Sequence, residues 1–144
     1  MKFVLRLLLC LFVLNQSNLV YSQVKQFTTI TFLNPSDFYS EMLFYPSREI
    51  IDVREYALYC KSRIPGALSA DTPEKVKNLS DTLDRDIPFF VYSENGDEST
   101  EACLILLGKG FKNVFELKDG IRGWERQGFK VDNKKISKRR KKRI

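Results

Sequence analysis

Ile87-Pro88-Phe89-Phe90-Val91-Tyr92 is the stretch of this 144-residue chain that decides the fold, and the polar segment Ser93-Glu94-Asn95-Gly96-Asp97-Glu98 follows it directly. Residues 89–92 are apolar without alternation, which is typical of a strand buried on both faces of a sheet. Ser99 or Thr100 is then placed to cap a helix rich in apolar residues. The stretch therefore predicts a buried strand, a polar loop and a helix, in that order.

Shorter patterns on either side alternate in the same way. Asn34-Pro35-Ser36-Asp37 predicts a helix start, because proline suits the first turn and an acidic residue complements the helix dipole. Phe38, Met42 and Leu43 form the expected buried stripe of that helix. Short apolar strands alternating with helices predict an α/β fold with a mainly parallel sheet covered on both faces. The other expected elements are extended stretches at 27–32, 49–53 and 113–117 and helices at 55–60, from 71, and at 120–127.

The first 22 residues have the order of a secretory signal peptide: a basic start, the apolar run Leu7 to Leu14, and Val20-Tyr21-Ser22 before the expected cleavage site. The apolar run is roughly a dozen residues long, whereas a bilayer span needs about 20. We therefore expect cleavage after Ser22 and a secreted or periplasmic domain at 23–133. An uncleaved membrane anchor is the alternative.

Charge is divided unevenly between the domain and its end. Residues 23–133 carry 14 basic and 18 acidic residues, a net charge of −4, whereas eight bases crowd into positions 134–144. The chain is thus expected to be an acidic domain with a basic, disordered tail. Such a tail suits an anionic surface (lipid headgroups, acidic glycans or nucleic acid), with plain solubility as the alternative.

Five motifs in order resemble the rhodanese-like (sulfurtransferase homology) family. The resemblance implies a five-stranded parallel sheet with helices on both faces. Its enzymes carry sulfur on a loop cysteine as a persulfide, which needs a low-pKa thiolate in a nest of backbone amides. The similar segments are IIDVRE at 50–55, RIPGA at 63–67, FVYSENGDES at 90–99, GFKNV at 110–114 and DGIRGW at 119–124.

The resemblance places Ser93 where the family has its cysteine and Glu98 where it has its loop arginine. A hydroxyl is much less acidic than a thiol, and Glu94 and Asp97 add further negative charge. Two like charges ~5 Å apart repel by about 3 kcal/mol at an effective dielectric near 20, which disfavours an anionic substrate. We therefore expect no catalytic residue, no cofactor and no metal. The loop expected to bind an unidentified protein or small ligand consists of Ser93, Glu94, Asn95, Gly96, Asp97, Glu98 and Ser99.

Several alternatives stay open. Cys60, beside Lys61 and Arg63, is a candidate sulfur carrier outside the loop. Ser93 as a nucleophile would need an adjacent base, and the chain has no histidine. The loop carboxylates are candidate ligands for calcium or magnesium. Cys103 is expected to be a buried, inert thiol, with a disulfide to Cys60 as the alternative.

Overall fold

The structure, a computed structural model, describes residues 29–134. The expected signal peptide and the basic tail beyond Lys134 lie outside the described residues. No helix within 29–134 is both long enough and apolar enough to cross a bilayer. The elements, in chain order, are β1 (Ile30–Leu33), α1 (Pro35–Phe44), β2 (Glu49–Asp52), α2 (Tyr56–Lys61), β3 (Leu68–Ser69), α3 (Pro73–Asp81), β4 (Phe89–Tyr92), α4 (Thr100–Gly108), β5 (Val114–Leu117) and α5 (Gly120–Arg126).

The five strands form one parallel sheet in the order β1-β5-β4-β2-β3, which confirms the expected fold. All four residues of β4 are buried, as its continuous apolar run predicts. Phe90 is in register with Ile50 of β2 and with Phe115 of β5. The carboxyl ends of these central strands therefore share one edge of the sheet, where ligands bind in open parallel sheets.

Helices cover both faces of the sheet. On one face, α1, α2 and α5 pack on Phe90 and Tyr92, and Trp124 lies in this core as expected. On the other face, α3 and α4 pack on Phe89 and Val91. Successive side chains of β4 therefore enter opposite cores, because the side chains of a strand alternate between the faces of its sheet.

The start of α1 is confirmed, but its expected buried stripe is partly wrong. Asn34 Oδ1 accepts a hydrogen bond from the Asp37 N–H at 3.0 Å. Phe38 and Met42 are buried, whereas Leu43 is 62% exposed. Residues four apart share a helix face, but Leu43 follows Met42 directly and points about 100° away from it.

Candidate functional site

The loop between β4 and α4 contains every residue expected at the site. Ser93, Gly96 and Ser99 are buried, so they form the inner side of the loop. Asn95, Asp97 and Glu98 are exposed. The loop lies at the carboxyl edge of the sheet, so its position agrees with the sequence expectation.

Ser93 closes the loop on itself. Its hydroxyl oxygen accepts a hydrogen bond from the Gly96 N–H at 2.9 Å, and its carbonyl accepts one from the Ile121 N–H at 3.0 Å. Gly96 has a φ of +102°, and a Cβ there would lie 1.8 Å from the carbonyl oxygen of Lys118. Glycine is therefore required at position 96, both for its backbone conformation and for the close approach of the β5–α5 turn.

Ser99 stands at the N-cap of α4, but its side chain does not cap that helix. Its hydroxyl lies 2.7 Å from Glu116 Oε1 and 3.1 Å from the carbonyl oxygen of Gly96. Thr100 Oγ1 donates to the same Glu116 carboxylate at 3.0 Å. Glu116 is fully buried, so these hydroxyls replace the hydrogen bonds that its carboxylate would make to water. The end of the loop is thus held to β5.

Glu94 lies between two arginines that the sequence expectation left out. Arg54 Nη1 donates to Glu94 Oε2 at 3.1 Å, and Arg122 Nε donates to Oε1 at 2.9 Å. Partial burial raises the pKa of Glu94, but the hydrogen bonds from Arg122 and Arg54 outweigh it and hold that pKa below its ordinary value. The charge of Glu94, one of the three loop carboxylates, is therefore compensated by two ion pairs.

Arg54 connects the loop to the end of β2. It forms a buried ion pair with Asp52 at 2.7 Å and donates to the carbonyl of Ser62 at 2.6 Å. The Tyr92 hydroxyl donates to Asp52 at 2.7 Å and accepts from the Ile64 N–H at 3.1 Å. Burial, with the neighbouring Asp52 charge, raises the pKa of Tyr92 well above its ordinary value. In the sequence, Asp52 ends an apolar strand. A carboxylate buried at such a position requires a cation beside it, and this is the signal that indicates Arg54.

The amides of the loop's exposed side are unused within the structure. Among residues 29–134, the N–H groups of Asn95, Asp97 and Glu98 donate no hydrogen bond. Successive backbone donors of this kind form the concave surfaces that bind oxygen atoms of ligands. The loop therefore has three backbone donors that no described residue satisfies, among side chains that are acidic.

A small cavity of about 80 Å³ lies beside the loop, between the N-termini of α3 and α4. In the part of the chain that the structure describes, Glu98 and Glu101 form no ion pair, whereas Asp71 pairs with Lys75. The entrance is therefore acidic. The lining residues are Val53, Ala70, Asp71, Thr72, Pro73, Val76, Glu98, Glu101, Ala102 and Ile105.

Cys60 and Cys103, the two cysteines within residues 29–134, are free, so the alternative of a disulfide between them is wrong. Cys103 is fully buried, and burial, reinforced by Glu116, raises the pKa of its thiol. Cys60 is half-buried, and its hydrogen bond with Tyr56 raises the pKa of that tyrosine. Cys103 is therefore unsuited to sulfur chemistry, as expected, and Cys60 is the more accessible of the two. Residues 29–134 contain no group of three acidic or cysteine side chains that could hold a metal ion.

This architecture, with its loop at the carboxyl end of β4, is that of a rhodanese-like α/β domain. The model of the Rhodanese-like domain family matches residues 35–127. The chain belongs to this family.

Several of its relatives are named as sulfurtransferases. The chain is 30% identical over 83 residues to the thiosulfate sulfurtransferase GlpE of Actinobacillus succinogenes, covering 58% of this chain and 74% of that protein. It is 27% identical over 104 residues to GlpE of Actinobacillus pleuropneumoniae, covering 72% and 94% of the two chains. Among solved structures, the Alr3790 protein from Anabaena superposes with a TM-score of 0.63 at 25% identity, covering 71% of this chain and 82% of that one.

Proposed function

We propose that this chain is an exported, catalytically inactive rhodanese-like module that binds a partner protein or a small ligand at residues 93–99. The proposal rests on the position of the Ser93 hydroxyl and on its hydrogen bond. Its oxygen occupies the position that the family resemblance assigns to the sulfur-carrying cysteine, and it accepts the Gly96 amide at 2.9 Å. That amide, which could stabilise a thiolate or a bound anion, instead holds the loop closed.

The surroundings of Ser93 also lack the partners that would activate a hydroxyl. A serine nucleophile requires an adjacent base that a third group orients. The chain has no histidine, and Glu94, which follows Ser93 in the sequence, is held by Arg54 and Arg122. Tyr92, the residue before Ser93, keeps its proton because its pKa is raised. These features support a loop that binds without reacting.

The charge at the loop mouth, defined here as the exposed side of the loop with Asp97, Glu98 and Glu101, supports a ligand other than the thiosulfate anion. Asp97 and Glu98 are exposed, and Glu101 lines the adjacent cavity. These carboxylates lie near the amides that would otherwise attract an anion. A carboxylate and an anion ~5 Å apart repel by a few kcal/mol before solvent screening. The mouth instead suits a ligand that presents neutral carbonyl oxygens to the amides, a positive charge to the carboxylates, or both.

A thiosulfate:cyanide sulfurtransferase assay tests the proposal. The purified protein is expected to give no thiocyanate above the blank, because no group in the loop can hold a sulfane sulfur. Ser93→Cys combined with Glu98→Arg is the matched gain-of-function variant, and Ser93→Ala is the control that removes the oxygen. Turnover by the unaltered protein would contradict the proposal.

Two further variants identify the sulfur carrier if turnover is found. Activity abolished by Cys60→Ser but kept by Cys103→Ser would establish the alternative, a sulfurtransferase that uses a cysteine outside the loop. Half-burial of Cys60 keeps it within reach of such a reaction. Activity that survives both substitutions would place the chemistry in the loop itself.

A further inference from the structure

A second concave surface lies away from the loop, on the α1 and α5 face of the sheet. It is a groove of about 420 Å³ between α1, the turn at Ile64 and Pro65, and the segment that follows α5. Ligand pockets commonly have volumes of about 300–1,000 Å³, so a small molecule fits this space. The groove shares no lining residue with the cavity beside the loop.

Most residues that line the groove are apolar, and three of them are aromatic. Trp124, Met42 and Ile64 are buried at its base. The rings of Trp124 and Phe129 lie 4.6 Å apart, and that of Tyr39 lies 5.0 Å from Phe129. Leu43, an exposed residue of α1, also lines the groove. Such a surface binds an apolar chain or ring.

The charged residues that line the groove are both cations, Arg48 and Lys130. Arg48 Nη1 donates to the carbonyl of Tyr45 at 2.6 Å. Its Nε is buried and has no hydrogen-bond partner among the described residues. Because that Nε is shielded from solvent, the attraction of the groove for an anion rests on the positive charges of Arg48 and Lys130 in its lining. A guanidinium group favours a carboxylate or a similar oxyanion.

We propose that this groove binds a small amphipathic anion, with its apolar part on Trp124 and Phe129 and its acidic group at Arg48. The occupant is a low-molecular-weight compound, such as an aliphatic or aromatic carboxylate or sulfonate. The groove carries the opposite charge to the acidic loop mouth, so the two surfaces select different ligands.

Trp124 provides a local reporter, because it is the only tryptophan in the chain. The protein is titrated with 8-anilinonaphthalene-1-sulfonate while Trp124 emission and energy transfer to the probe are followed. We expect saturable binding with quenching of Trp124, and displacement by octanoate but not by octylammonium. Equal displacement by the two surfactants, or probe binding that leaves Trp124 emission unchanged, would overturn the proposal.

Two variants test the contributions of the Arg48 charge and of the apolar rim at Leu43. Arg48→Gln is expected to weaken octanoate binding about tenfold, since it removes a charge-assisted hydrogen bond. Arg126→Gln, at an exposed arginine outside the groove lining, is the matched control and should leave the affinity unchanged. Leu43→Glu places a carboxylate on the exposed rim, where folding is not at risk, and should abolish octanoate binding. Unchanged affinity in either Arg48→Gln or Leu43→Glu would contradict the assignment.

Discussion

The two halves of the loop after β4 differ in how they are held. In the first half, Ser93, Glu94 and Gly96 are anchored: Ser93 bonds Gly96, and Glu94 is fixed by Arg54 and Arg122. Asp97 and Glu98 are exposed and form no ion pair with the described residues. The first half therefore preserves the shape of the turn, while the second half determines the charge that a ligand meets.

The largest effect is expected at Gly96 in the anchored half. Gly96→Ala should lower the free energy of unfolding by up to about 6 kcal/mol, because a positive φ and a backbone clash each cost about 1–3 kcal/mol. Gly108→Ala is the matched control, since a Cβ there meets nothing within 4 Å. Urea denaturation of the two variants measures the difference. Similar stability for both would show that the close approach to Lys118 is not required.

A slightly smaller decrease in the free energy of unfolding is expected for Arg54→Met. The substitution removes the cation beside Asp52, whose side chain is fully buried, and an unpaired buried charge costs about 3–5 kcal/mol. Arg122→Met is the control, because Arg122 also pairs with Glu94 but is 61% exposed. Thermal unfolding compares them. If Arg122→Met lowered the stability as much as Arg54→Met, the exposed pair of Arg122 with Glu94 would be as important as the buried pair of Arg54 with Asp52.

Glu94→Gln is expected to cost about 1 kcal/mol near neutral pH, a modest value because the carboxylate is partly exposed. The pKa of Glu94 is lower in the folded state than its ordinary value of 4.5. Its stabilising contribution is therefore complete above that value and is lost as the pH falls through the folded pKa. Urea denaturation across this acidic range should show a steeper decline for the unaltered protein than for Glu94→Gln. Parallel declines would contradict the proposed pairing.

The smallest effects are expected in the exposed half. Glu98→Gln and Asp97→Asn make the same chemical change as Glu94→Gln, but they should alter stability by less than about 0.5 kcal/mol. They should instead improve binding of anions at the loop amides, because they remove the repelling charge. Titration with thiosulfate measures this. Loss of stability similar to that of Glu94→Gln would remove the distinction between the two halves.

Most of the fold could be predicted from local patterns. Continuous apolar runs identified β2, β4 and β5, and the proline-containing starts identified α1 and α3, whose caps Asn34 and Thr72 accept from the third residue that follows. The position of the loop followed from strand order. Leu43 was assigned wrongly because spacing in sequence does not show which residue of an adjacent pair faces the core.

The electrostatics of the site could not be predicted as well. The sequence showed the loop carboxylates only as one acidic group. In the structure, Glu94 pairs with Arg54 and Arg122, which are 40 and 28 residues away in the chain. Such pairs form only when the ends of β2 and β5 meet beside β4. Ser99 or Thr100 was expected to cap α4. Ser99 occupies the N-cap position, but its side chain bonds Glu116, because that buried carboxylate needs donors.

Mass spectrometry of the intact protein after incubation with thiosulfate tests the central claim most directly. The account predicts no gain in mass for the unaltered chain, and a gain of one sulfur atom for Ser93→Cys with Glu98→Arg. Addition of a sulfur atom to the unaltered chain, mapped to the peptide that contains residues 93–99, would contradict it.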